Sequence, residues 1–201
     1  MVGCIGTIRM RVVGGKYRNR RIVPPQGIDA RPTTDFAKEG LFNVLQHSTA
    51  LEEIRVLDLF AGTGSISLEF LSRGAAEVIS VEQENKLYGY IKRTAKDLNE
   101  TNWRVVRSDV FTFLNSHRGL YDIVFADPPF YMEGIERIPQ LILENGLLGT
   151  EGLLILEHHD KISFKTLPGY QKTREYGMIQ FSFFTPAELS LIHISEPTRP
   201  Y

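Results

Sequence analysis

The chain has 201 residues, of which 42% are hydrophobic and 23% charged, and its formal net charge at pH 7 is -1. This length is enough for one well-buried domain, and the composition is typical of a soluble globular protein. Apolar runs stay well below the length of a membrane span, and a single cysteine, Cys4, excludes an internal disulfide framework. We therefore expect a cytoplasmic monomer without a signal peptide.

The net charge hides an asymmetry between residues 1–34 and the rest. Residues 1–34 hold seven basic side chains and one acidic one, whereas residues 35–201 are acidic overall. Two β-prone runs, 9–13 and 20–23, flank Gly14-Gly15 and predict a hairpin. A basic hairpin favours a polyanion-binding arm, and the alternative is a solvated hairpin that is basic without a functional reason. The predicted nucleic-acid contacts are Arg11, Lys16, Tyr17, Arg18, Arg20, Arg21 and Arg31, with Tyr17 able to stack on a base.

The remaining elements follow from the spacing of the apolar residues. Thr33 or Thr34 can cap a helix that runs to about Gln46, and from residue 55 onward strands and helices alternate. The predicted strands are 56–60, 78–82, 103–107, 121–126 and 152–157, the predicted helices are 65–73, 84–98, 110–115 and 134–144, and runs 171–176 and 178–184 form a hairpin at Gly177. This order predicts an α/β fold with a doubly wound, mostly parallel sheet, whose ligand binds where the strands end.

The stretch from Val56 to Ser65 reads VLDLFAGTGS. It predicts a buried strand that ends in a tight loop and leads into a helix. Gly62 and Gly64 can adopt backbone angles that other residues avoid, so a ligand can approach the main chain closely. Such turns serve many nucleotides, and some serve only packing, so the loop alone does not identify a ligand.

Acidic residues follow four of the predicted strands. Glu82 lies 24 positions after Asp58, close to the spacing at which an acid binds the hydroxyls of a ribose, which implies an adenosine-containing cofactor. A nicotinamide dinucleotide is the first rival, but the third glycine of that fingerprint is missing after Gly64. Asp109 can accept a hydrogen bond from an adenine amine, cap a helix, or do both.

The most specific feature is Asp127-Pro128-Pro129-Phe130. Consecutive prolines make this stretch rigid and leave the Pro128 carbonyl available. The Asp127 carboxylate and this carbonyl can accept both hydrogens of an exocyclic amine, while Phe130 offers a ring for stacking. By contrast, Glu157-His158-His159-Asp160 contains metal-ligating residue types, but adjacent residues at a strand end point to opposite faces and no further ligand partner is evident, so we predict a solvated turn and no metal site.

These motifs resemble S-adenosylmethionine-dependent amino-methyltransferases. With Met10-Arg-Val-Val-Gly-Gly-Lys-Tyr, Arg31-Pro-Thr-Thr-Asp and Phe42-Asn43, the chain resembles the bacterial RsmD family, which methylates the N2 amine of a guanine in small-subunit ribosomal RNA. The resemblance spans about residues 10–184 and implies a Rossmann-like class I methyltransferase fold. It assigns the cofactor to Asp58, Phe60, Ala61, Gly62, Gly64, Glu82, Ser108 and Asp109, and the base to Asp127, Pro128, Pro129 and Phe130. Phe130 replaces the commoner tyrosine, and Met1 to Arg9 precede the usual start.

The expected organisation is therefore a basic hairpin arm at 1–34, a cofactor-binding catalytic domain at 35–184 and a tail at 185–201 that we interpret as vector- or adaptor-derived. The predicted partner is small-subunit ribosomal RNA or a ribosomal particle. Two alternatives remain open at this point. The loop at Asp127 also suits the N6 amine of adenine in DNA, and an idle nucleic-acid-binding module could keep a vestigial cofactor site.

Overall fold

The computed structural model describes residues 10–23 and 35–186. The predictions for Cys4, Arg31, the Thr33 or Thr34 cap and residues 187–201 lie outside these ranges. The described helices are α1 (Asp35–Ser48), α2 (Ser65–Ser72), α3 (Asn85–Asp97), α4 (Val110–Ser116) and α5 (Arg137–Glu144). The described strands are β1 (Met10–Arg11), β2 (Arg21–Ile22), β3 (Arg55–Leu59), β4 (Glu77–Glu82), β5 (Trp103–Arg107), β6 (Tyr121–Ala126), β7 (Leu148–His159), β8 (Tyr170–Tyr176) and β9 (Ile179–Phe184). None of the helices in these ranges is long and apolar enough to cross a membrane.

Seven strands form one sheet in the order β5-β4-β3-β6-β7-β9-β8. The first five strands of this order run parallel, and β9 pairs antiparallel with both β7 and β8. Strand order reverses between β3 and β6, and ligands of open α/β sheets bind at such a switch point. The predicted doubly wound sheet with a C-terminal hairpin is confirmed.

Helices cover both faces of the sheet, which is why its central strands are almost entirely apolar. On one face, buried residues of α1, α2 and α3 pack with Val56 of β3 and Phe125 of β6. On the other, buried residues of α4 and α5 pack with Leu57 and Val124 from the same two strands. Successive side chains of a strand point to opposite faces, so each central strand contributes to both cores.

The N-terminal hairpin packs against helix α2. The Glu69 carboxylate accepts hydrogen bonds from the backbone N–H groups of Val13 and Gly14 at 2.8 and 2.9 Å. The Ser72 hydroxyl accepts another from the Tyr17 N–H at 2.8 Å. The turn is longer than the predicted Gly14-Gly15, because the 3-10 helix Gly15–Tyr17 lies between the two strands. The hairpin is thus fixed to the helix that follows the glycine loop.

A buried lysine joins the hairpin to helices α1 and α2. The Lys38 side chain is fully buried, and its Nζ donates to the Arg11 carbonyl at 2.5 Å and to the Ser65 hydroxyl at 3.0 Å. Its Nζ also lies 3.8 Å from a Glu69 carboxylate oxygen. Burial lowers the pKa of Lys38, and the Glu69 charge opposes this shift. One cation therefore connects β1, α1 and the first residue of α2.

Two elements begin three or more residues away from their predicted start. Helix α5 begins at Arg137 rather than Gly134, because Gly134 has a φ of 76°, outside the helical region. Strand β7 begins at Leu148, four residues before the predicted start, with a register shift against β6. The extra residues include Gly149, whose lack of a side chain obscured the strand pattern in the sequence.

Candidate active site

A cavity of about 640 Å³ opens where the parallel strands end. Nine of the predicted site residues line it: Phe60, Gly62, Glu82, Ser108, Asp109, Asp127, Pro128, Pro129 and Phe130. The predicted residues Asp58, Ala61 and Gly64 are buried beside it. The fold thus brings the residues predicted for the cofactor and those predicted for the base to one cavity.

The loop after β3 has backbone angles that explain its glycines. Gly62 and Gly64 have φ values of 56° and 74°, in the left-handed region, and Phe60 has a φ of 63°. A Cβ on Gly62 would meet only one atom within 4 Å, whereas a Cβ on Gly64 would lie 2.8 Å from the Trp103 ring. Gly62 therefore leaves its main chain open to a ligand, and Gly64 is required by packing.

Glu82 ends strand β4 and holds the loop in place. Its Oε2 accepts a hydrogen bond from the Gly62 N–H at 2.8 Å, and its Oε1 accepts one from the Glu84 N–H at 2.7 Å. Burial raises the pKa of Glu82, and these backbone hydrogen bonds oppose the shift. Each carboxylate oxygen has a second lone pair, so Glu82 can hold the loop and still accept from the two hydroxyls of a ribose.

Asp58 turns away from the cavity. Its Oδ2 accepts hydrogen bonds from the Ser67 N–H at 3.2 Å and the Ser67 hydroxyl at 2.5 Å. Ser80 continues this buried network to the Trp103 ring N–H. Burial raises the pKa of Asp58 to about 7, and the nearby Asp127 carboxylate adds to the shift. The structure gives Asp58 a supporting position behind the loop, and its predicted contact with the cofactor stays a prediction.

Asp109 combines two roles. It caps helix α4 by accepting a hydrogen bond from the Thr112 N–H at 2.9 Å, and it lines the cavity together with Ser108. Apolar residues Val81, Leu87 and Val110 line the same region. These apolar side chains, together with the carboxylates of Glu82 and Asp109, fit an adenosine group, so the residues present fit the predicted cofactor.

The segment Asp127–Phe130 follows strand β6 at the other end of the cavity. The Pro129 carbonyl accepts a hydrogen bond from the Met132 N–H at 2.9 Å, which closes a turn. The carbonyl that closes this turn belongs to Pro129. The Pro128 carbonyl takes no part in this hydrogen bond, in agreement with the prediction from the consecutive prolines. The Phe130 ring lies edge-on to the His159 ring at 5.9 Å, and Tyr131 beside it is 98% exposed.

The predicted RNA contacts divide into two groups. Arg11 is paired with Asp35 at 3.3 Å, and Lys16 is paired with Glu100 at 2.6 Å. The Tyr17 hydroxyl also donates to Glu100, and the ring packs against the core, so Tyr17 supports the hairpin. Arg18, Arg20 and Arg21 are exposed on the hairpin surface, which makes them the best placed to contact phosphates.

Sequence reasoning missed several residues of the cavity wall. Among them, Glu157 near the end of β7 and Ile179 at the start of β9 line the cavity. Glu157 carried the signal used for Asp127, an acid at the end of an apolar strand, but it was considered only with the histidines that follow. The predicted solvated turn was wrong for Glu157 and His158, because both lie within β7 and are buried, and His158 is bonded to the Ser182 hydroxyl at 2.7 Å. Within residues 10–23 and 35–186, no group of three or more side chains is arranged to hold a metal ion.

The sheet topology, the glycine loop and the cavity are those of the Rossmann-like class I methyltransferase fold. The chain belongs to the family described as Conserved hypothetical protein 95, whose model matches residues 10–185. This result confirms the resemblance to the RsmD family.

Comparison with known proteins agrees with this membership. The chain is 34% identical over 163 residues to Ribosomal RNA small subunit methyltransferase D of Escherichia coli (strain K12), and the match covers 81% of each protein. The solved structure of the Escherichia coli protein yhhF has a TM-score of 0.77 and 30% identity, and the match covers 89% of this chain and 98% of that one. The Thermus thermophilus 16S rRNA N2 G1207 methyltransferase RsmC, solved with AdoMet and guanosine, has a TM-score of 0.67 and 19% identity over 88% of this chain and 49% of that one. That last likeness concerns the fold alone.

Proposed function

We propose that the protein transfers a methyl group from S-adenosylmethionine to the N2 amine of a guanine in small-subunit ribosomal RNA. The observation that carries this proposal is that Asp127–Phe130 and the pair Glu82 and Asp109 line one cavity. A cofactor held at Glu82 and Asp109 would then face a base held at Asp127. The relative from Escherichia coli that is named for the small ribosomal subunit supports the choice of RNA.

The protein's task in this reaction is to position the amine. S-adenosylmethionine held at this site would supply an electrophilic methyl group: the sulfur–methyl bond would break as the bond from N2 to the methyl carbon forms, the sulfur would become a neutral thioether, and one N2 proton would pass to the Asp127 carboxylate. The lone pair of an aromatic amine is delocalised into the ring, so the nitrogen must be held near tetrahedral geometry. The Asp127 carboxylate and the Pro128 carbonyl accept its two hydrogens, while the Phe130 ring stacks on the base. Alignment of the nucleophile, methyl and sulfur supplies most of the catalysis.

The RNA is held outside the cavity by the basic hairpin. Arg18, Arg20 and Arg21 bind phosphates, and the target base is flipped out of its stack to reach Asp127. Because Glu69 and Lys38 fix the hairpin to α1 and α2, the arm and the cavity keep a constant separation. The proposal places the enzyme in the cytoplasm, where ribosomal RNA is found, and treats it as a monomer.

Methyl transfer to ribosomal particles tests the proposal. Small-subunit particles from cells that lack this modification are incubated with the protein and tritiated S-adenosylmethionine, and the RNA is digested to nucleosides. Labelled N2-methylguanosine is the expected product. Labelled N6-methyladenine with DNA as the substrate would support an adenine methyltransferase instead. Binding of RNA without any labelled product on RNA or DNA would indicate an idle binding module.

A further inference from the structure

Glu157 and Asp127 lie side by side at the base-binding end of the cavity. Strands β6 and β7 are parallel neighbours in which Ala126 is paired with Leu156. Asp127 and Glu157 each follow one residue later, so their backbones are separated by about one strand spacing, ~5 Å. Both residues line the cavity, and Glu157 is only 4% exposed. Two carboxylates therefore face the position proposed for the base.

Two neighbouring acceptors match one edge of guanine. That edge carries the N2 amine and, next to it, the N1–H group, both of which are hydrogen-bond donors. Adenine presents an amine next to an N1 lone pair, which is an acceptor and would repel a carboxylate. Buried polar groups that are built to bind a donor reject a ligand that lacks it. The pairing of Asp127 with Glu157 thus suits guanine and disfavours adenine.

We infer that Glu157 determines guanine specificity by accepting a hydrogen bond from N1–H while Asp127 binds the N2 amine. The inference rests on the proposed function, since it needs a guanine in the cavity. Glu157 forms no bond to the methyl group and moves no proton. Its effect is to favour guanine over bases whose amine lies next to an N1 lone pair instead of an N1–H group.

2-Aminopurine separates this role from a structural one. It keeps the N2 amine of guanine but has a lone pair at N1 in place of the N1–H group. The experiment first maps the guanine that the native enzyme methylates, then prepares matched RNA substrates with guanine or 2-aminopurine at that position. kcat/KM is measured on both RNAs for the native enzyme, E157Q and the control E175Q, whose side chain is exposed on β8.

The native enzyme is expected to prefer guanine by about 100-fold or more, because 2-aminopurine leaves the buried carboxylate facing a lone pair. For E157Q, kcat/KM on the guanine RNA is expected to fall by about 10-fold to 100-fold, since a charged hydrogen bond becomes a neutral one. The amide that E157Q introduces can donate to the N1 lone pair of 2-aminopurine. The preference of this variant for guanine over 2-aminopurine should therefore shrink to within about 10-fold. E175Q should retain the native preference. 2-Aminopurine also lacks the O6 atom of guanine. This loss affects the native enzyme and both variants alike, so it cancels when their preferences for guanine are compared.

Three outcomes are distinguishable. A reduced preference in E157Q, with an unchanged melting temperature and unchanged Kd for S-adenosylmethionine, supports the inference. Equal losses on both RNAs, which leave the preference as in the native enzyme, overturn it and give Glu157 a structural role while the proposed function stands. Failure of the native enzyme to form N2-methylguanosine on any small-subunit substrate overturns the proposed function, and this inference with it.

Discussion

The Glu82 carboxylate accepts a hydrogen bond from the Gly62 N–H at 2.8 Å, so the end of β4 and the glycine loop are joined at the cavity. The acid that the spacing predicts for a ribose therefore also fixes the loop that approaches the ligand. A single side chain couples the shape of the loop to the position of the ribose hydroxyls. Changes at Glu82 should consequently affect cofactor binding more than global stability.

E82A is expected to weaken S-adenosylmethionine binding by roughly 2 to 4 kcal/mol, because two charge-assisted hydrogen bonds to the ribose are lost. E82Q keeps one acceptor oxygen and should lose less. Isothermal titration calorimetry measures both changes, with the melting temperature as the control for folding. If E82A binds S-adenosylmethionine with the native Kd, the assignment of Glu82 to the cofactor site is wrong.

The two loop glycines should respond differently to alanine. In G64A the new Cβ would lie 2.8 Å from the Trp103 ring at a φ of 74°, so clash and backbone strain together should cost about 2 to 4 kcal/mol of unfolding free energy. G62A has open space around the Cβ and should cost only about 1 kcal/mol. Its methyl group would narrow the cavity and weaken cofactor binding. Urea unfolding measures the stability of G64A and G62A, and calorimetry measures their affinity for the cofactor. Equal unfolding free energies of the two variants would contradict the different roles assigned to Gly62 and Gly64.

Burial raises the pKa of Asp58 from the ordinary value of an aspartate, about 3.9, to about 7, which makes stability depend on pH. Between these values the folded protein binds the proton and the unfolded chain does not, so the unfolding free energy falls as pH rises. The loss is on the order of 1 to 4 kcal/mol, is complete above about pH 8 and is absent below about pH 4. Asparagine at this position can still accept from Ser67 but cannot titrate.

Urea unfolding of the native protein and D58N from pH 5 to 8 tests this linkage. The native protein should lose stability relative to D58N over that range. Other groups titrate in both proteins, so their contributions cancel in the difference. Parallel curves would mean that Asp58 is ionised throughout the range.

The exposed arginines of the hairpin give a prediction about salt. Changing Arg18, Arg20 and Arg21 to alanine should weaken RNA binding and reduce the slope of log affinity against log salt by about 0.7 to 0.9 per lost phosphate contact. Cofactor affinity should not change. R118A removes an exposed arginine that precedes β6 and lies outside the hairpin, and it serves as the control. If the slope of the triple variant matches that of R118A, the hairpin is a solvated structure.

Much of the fold could be predicted because its signals are local. Apolar runs such as 121–126 gave the strand at its observed bounds, and the alternation of strands and helices predicted the parallel sheet. Tyr17 illustrates what could not be predicted, since its hydroxyl is bonded to Glu100, 83 positions away in the chain. Asp58 is similar, because only packing shows that its carboxylate turns towards Ser67. Non-local contacts of this kind leave no periodic pattern in the sequence.

The cavity itself was predictable to a similar degree. Each acid that ends a parallel strand comes to the same edge of the sheet, so Glu82, Asp109 and Asp127 could be grouped before their distances were known. Glu157 follows the same rule, but in the sequence it is weighed only as a possible metal ligand beside the two histidines that follow it. Its place became evident only from the register of β6 and β7.

Asp127 provides the most direct test of the proposed chemistry. If its carboxylate holds a hydrogen of the amine during transfer, D127A should lower the methylation rate by roughly 10² to 10⁴, or about 3 to 5 kcal/mol of barrier. D127N keeps an acceptor oxygen, so its methylation rate should lie between those of the native protein and D127A. Cofactor affinity should change little, because Glu82 and Asp109 remain.

Single-turnover kinetics at saturating cofactor and RNA separates the chemical step in D127A from binding. Asp127 and Asp58 interact electrostatically, so D127A should also lower the pKa of Asp58 and make the folded protein less sensitive to pH. A structural role for Asp127 would change stability without changing the single-turnover rate. A native rate in D127A would therefore make Asp127–Phe130 a structural turn and would rule out the proposed positioning of the amine.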